Sequence, residues 1–93
     1  MVGTLTIHLH LPTCSSLKEK RGRLKPFLLR LHREFNVSTA EMDLQDMWQE
    51  AVISCAIVGN EHGYLRAALQ EVSRWVEDHW QEGMVEGQKI EVY

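Results

Sequence analysis

Two helical stripes with a pair of strand-like segments between them constrain this chain more than any other feature. Leu17, Leu24, Leu28, Leu31 and Phe35 recur at seven-, four-, three- and four-residue steps, and at 100° per residue they form one apolar face. Leu65, Ala68, Leu69, Val72 and Val76 form a second such face. Residues 37–42 and 51–58 lie between the stripes and are too short and too β-branched for a further helix. A strand also stands at each end. In residues 2–11, Leu5, Ile7, Leu9 and Leu11 alternate with Thr4, Thr6, His8 and His10, and the period of two marks a strand with one face on a core. Residues 89–93 alternate in the same way, with Ile90 and Val92 inward.

The order is therefore β-α-β-β-α-β. Right-handed crossovers and a central hairpin turn that order into an α+β, ferredoxin-like sandwich. It has a four-stranded antiparallel sheet of order 4-1-3-2, with both helices on one face. With 93 residues, 44% of them hydrophobic, there is material for one domain spanning 1–93. Punctuation supports the boundaries. Pro12 ends the first strand, and Ser16 and Glu19 have the spacing of a capping box. Asn36 stops the first helix, Asn60 is the expected N-cap of the second, and Gly83 and Gly87 mark a closing loop. Gly22 and Pro26 are defects inside the first helix. Pro26 lacks the N–H that the Gly22 carbonyl would accept, so a kink is expected over 22–26.

Residues 1–6 alternate instead of presenting a basic and then an apolar run, so no secretory leader is expected. The longest nearly apolar run, 51–58, is too short to cross a bilayer. The expected location is the cytoplasm, with Cys14 and Cys55 as free thiols. Cys55 reads as core filling. Cys14 sits before a helix N-terminus with Lys18 one turn on, and both would lower its pKa.

Several islands resemble the YlxP-like family of small bacterial proteins: Ser16-Leu17-Lys18-Glu19-Lys20-Arg21, Phe35-Asn36-Val37-Ser38, Ala40-Glu41 and Asp46-Met47-Trp48-Gln49. The resemblance runs in register over nearly the whole chain. It implies a ferredoxin-like fold and a gene neighbourhood of translation initiation and ribosome maturation. It carries no assigned catalytic residue. Pro26 departs from the uninterrupted first helix the family implies.

Charge is distributed unevenly. The chain has net charge −3, yet Lys18, Lys20, Arg21, Arg23, Lys25, Arg30 and Arg33 fall within sixteen positions, with Glu19 the one acid among them. That segment carries +6 and the remainder −9. One reading is an electropositive ridge for structured RNA or the ribosome, with Lys18, Arg23, Lys25, Arg30 and Arg33 as its contacts. The other is a solvated face whose stems cover apolar edges.

Most chemical constellations fail. RNA-recognition motifs stack bases on aromatics of the first and third strands, where this chain offers His8, His10 and no aromatic. A metal site needs three or four converging ligands, and no carboxylate or thiol stands visibly with the two histidines, so no metal is expected. The single thiol of Cys14-Ser15-Ser16-Leu17 does not make a soft-metal carrier. No phosphate cradle or nucleophile motif appears. The chain reads as a non-enzyme without a cofactor. The runner-up role is a homo-oligomeric protein-interaction module using the open sheet face, with Trp48, His8 and His10. The third strand is apolar on both faces, so a second copy in a homodimer is expected to cover the open one. Trp48 either anchors a partner or folds back on the sheet edge. Trp75 reads as core, and Trp80 is open.

Overall fold

The computed structural model describes residues 1–93. Its elements run β1 (Val2–His10), α1 (Leu17–Phe35), β2 (Ser38–Asp43), β3 (Glu50–Val58), α2 (His62–His79) and β4 (Val85–Val92). All strand pairs are antiparallel and the sheet order is β2-β3-β1-β4, the ferredoxin-like arrangement expected. β1 has the clean alternation read from its sequence: Leu5, Ile7 and Leu9 are fully buried, while Thr4, Thr6, His8 and His10 are half-buried on the other face. Ala51, Ile53 and Cys55 of β3 join the first set. Burying each large apolar side chain is worth roughly 1.5–3 kcal/mol, which ties the sheet's inner face to both helices.

α1 runs unbroken through Pro26, which is exposed, so water can reach the Gly22 carbonyl that the proline leaves unpaired. Its buried face is centred on Lys20, Leu24, Phe27 and Leu31. Leu17, Leu28 and Phe35 lie at the margin, half-buried. Phe27 takes the central place because α2 presents aromatic partners: its ring lies 5.5 Å from that of Trp75 and 5.0 Å from that of Trp80. Trp80 is thus core, and Trp75 packs half-buried against it.

The ends of the elements refine the expected boundaries. Ser16 Oγ accepts from the Glu19 N–H at 3.0 Å, but Glu19's carboxylate takes the Ser15 hydroxyl and Arg23 instead of completing a capping box. Asn36 closes α1 in the left-handed conformation, φ 52°. The N-cap of α2 is Glu61, not Asn60: its longer carboxylate accepts from the N–H groups of Gly63 and Tyr64. β4 begins at Val85, four residues before the alternation at Lys89 suggested. A bulge hides the period. His8 pairs with Gly87 and Leu9 with Val85, so Glu86 is an extra residue.

Candidate functional site

The outward face of α1 is built by helical geometry. Positions 18, 25, 29 and 33 lie opposite the buried stripe, so Lys18, Lys25 and Arg33 share an exposed line with Leu29. Arg21 flanks it on the β2 side. Arg30 flanks it on the α2 side, with its guanidinium 5.1 Å from the centre of the Trp75 ring. None of these five cations has a carboxylate within ion-pair distance.

The other two cations of the cluster are spent internally. Arg23 pairs with Glu19 at 2.8 Å and Glu82 at 3.1 Å, tying α1 to the segment after α2. Lys20 is 1% exposed. Its ammonium donates to the carbonyls of Leu44 (2.9 Å), Met47 (2.7 Å) and Glu50 (2.9 Å), with Glu41 Oε2 balancing the charge at 2.8 Å. It lies within the buried face of α1, together with Leu24, Phe27 and Leu31. These contacts join the Ser16–Arg21, Ala40-Glu41 and Asp46–Gln49 islands. They also hold Leu44 in a left-handed conformation, φ 59°, which costs a leucine roughly 1–2 kcal/mol. The β2–β3 loop so fixed carries Trp48 outward, 52% exposed, with Met47 and Met42 also exposed. Trp48 does not fold back as a lid.

Between α1 and the end of α2 lies a cleft of about 270 Å³, lined among others by Arg23, Pro26, Phe27, Arg30 and Trp80. It borders the basic face.

His8 and His10 sit on the open sheet face at its β2–β3 loop end. The expectation that no carboxylate accompanies them does not hold. Glu50, opposite His10 in register, brings Oε2 to 3.0 Å from His8 Nε2 and 3.5 Å from His10 Nδ1. The bulged Glu86 brings an oxygen into the same group. Nothing in the sequence pairs these residues, because the cross-strand register and the bulge exist only in the folded sheet. The rest of the open face is covered mainly by short side chains, including Thr4, Thr6, Ser54 and Ala56, with Thr6 and Ser54 hydrogen-bonded at 3.1 Å.

Cys14 is buried, and burial pushes its thiol up despite Arg23 nearby. The expected lowering is overturned because desolvation of a thiolate outweighs the favourable charges. Cys55, fully buried in β3, is pushed up to about 11 by burial. In the unfolded chain its pKa lies near 9, so its contribution is fully present below that pH. It is lost as pH rises from 9 to 11, at about 1.4 kcal/mol per unit. Thermal melts of Cys55→Ala are therefore expected to fall less steeply over that window than those of the native chain. Parallel slopes would refute the assignment.

No helix is long and apolar enough to cross a membrane. A family model described as "Protein of unknown function (DUF503)" matches residues 2–88. The chain belongs to the DUF503 family. It is also 34% identical over 77 residues to the protein named "Uncharacterized protein YlxP" of Bacillus subtilis (strain 168), covering 83% of this chain and 84% of that one. The match bears out the YlxP-like resemblance, and the shared span takes in α1 and both central strands.

Proposed function

We propose that this DUF503 protein is a non-catalytic, cytoplasmic accessory factor that binds structured RNA, as on the ribosome, through the outward face of α1. The observation that carries this reading is the set of five unpaired cations, Lys18, Arg21, Lys25, Arg30 and Arg33, on one helix of a chain that is otherwise strongly acidic. An ion-paired cation releases few counterions on meeting a phosphate; an unpaired one contributes in full. The contact is to backbone shape, since nothing on this face reads base edges. Arg23 lies outside the set because its charge is already matched.

A gel-shift assay on a structured RNA hairpin tests it. Five phosphate contacts on a duplex stem predict affinity falling about 500-fold between 50 and 200 mM salt. Changing Lys18, Lys25, Arg30 and Arg33 together to Glu abolishes the shift while the fold, followed by circular dichroism, is kept. Binding that survives this variant refutes the reading.

The exposure of Trp48 beside Met47 and Met42 favours a second reading, a homo-oligomeric module that docks a protein through that loop and the open sheet face. Trp48→Ala would then abolish association measured by sedimentation, while the α1 reversals would not.

A further inference from the structure

We propose that His10, Glu50 and Glu86 form a binding site for a zinc-type divalent transition metal on the open face of the sheet, with His8 as the outer partner that orients Glu50. The ligand atoms of the three residues lie within 4.8 Å of one another. They come from three neighbouring strands: His10 ends β1, Glu50 opens β3, and Glu86 is the bulged residue of β4. Without the bulge, regular alternation would not allow both Val85 and Gly87 to pair while Glu86 stands free beside His10. A bulge that re-aims one side chain is a common device next to functional sites.

The separation between His10 and Glu50 fits coordination better than hydrogen bonding. His10 Nδ1 is shielded from solvent and has no hydrogen-bond partner. It stands 3.5 Å from Glu50 Oε2. Two ligands at bond lengths of about 2.0–2.1 Å around a tetrahedral ion are separated by about 3.4 Å. The two carboxylates have no Lys or Arg within ion-pair distance. A bound cation relieves their repulsion and gives the orphaned imidazole nitrogen a partner. His8 Nε2 meets Glu50 Oε2 at 3.0 Å, and since the carboxylate accepts, the proton is on that nitrogen. That is the hydrogen bond by which outer residues fix a ligating group.

One imidazole and two carboxylates suit zinc and its neighbours. Three protein ligands leave one position open to water or to a partner's side chain. Both cysteines are buried elsewhere and do not compete.

The test is titration of the full chain with Zn²⁺ by calorimetry, with Co²⁺ absorption as the spectroscopic readout. One saturable site is expected, with visible bands of a low-coordinate Co²⁺ ion. His10→Ala and Glu50→Gln should abolish it, and His8→Ala should weaken it about 10- to 100-fold. His62→Ala, on α2, should leave it unchanged. Circular dichroism shows whether each variant is folded, and Glu86→Gln, at an exposed position, provides a ligand deletion with little risk to the fold. Absence of saturable binding at 100 µM Zn²⁺ overturns the proposal. So does binding that survives Glu86→Gln and His10→Ala unchanged, or a site that millimolar Mg²⁺ fills equally well.

Discussion

Lys20→Met is expected to destabilise the fold by about 3–5 kcal/mol, the usual cost of breaking one side of a buried ion pair. Against a total stability of about 5–15 kcal/mol for a domain of this kind, that is a large share. Three causes add. The carbonyls of Leu44, Met47 and Glu50 lose their donor. Glu41 loses the cation 2.8 Å away while remaining largely shielded from water. The left-handed Leu44 loses one of the contacts that hold it. Urea denaturation measures the effect, and amide exchange over 43–50 locates it. Lys20→Met combined with Glu41→Gln should recover the charge part of the loss but not the carbonyl part. A loss under about 1.5 kcal/mol would mean that water replaces the ammonium, and that the β2–β3 loop does not depend on α1.

Gly83→Ala is expected to cost about 3 kcal/mol, the upper end for overpacking. A methyl group there would overlap the His10 carbonyl oxygen and lie 2.7 Å from Pro12 Cδ. Both neighbours are rigid, one a backbone carbonyl and the other a proline ring, so the chain before β4 must move. That motion strains the 2.8 Å bond from the His10 N–H to the Met84 carbonyl. Gly87→Ala is the control, since a methyl group there meets nothing within 4 Å. Thermal melts of the two variants should differ by well over 5 °C, from about 4–8 °C per kcal/mol in a domain of this size. Equal melting temperatures would show that Gly83 is not the point of closest approach.

The two predictions concern residues whose sequence signals differ in kind. Gly83 was visible as punctuation, though its reason is steric contact with β1 and not turn conformation. Lys20 gave no such signal, because a lysine on a helix flank reads as solvent-facing unless the acceptors around it are known. The same holds for Glu50 and Glu86. Each is an ordinary acid in sequence, and only strand pairing sets them beside His10. Cys14 shows the converse: its local surroundings suggested an activated thiol, and burial reversed the sign.

Periodicity determined the element order and the inward face of β1, because burial against one core imposes a repeat that each strand and helix must obey, and crossover handedness then set the sheet topology; β3 is apolar on both faces, so only packing showed that Ala51, Ile53 and Cys55 point inward. Periodicity also placed the cations on α1. Tertiary structure decided which cations remain free, through the positions of Glu19, Glu41 and Glu82. It decided where β4 begins and which side chains meet at the end of the sheet. Pairing between residues dozens of positions apart is set by register, bulges and loop closure, and these act only once the layers have packed.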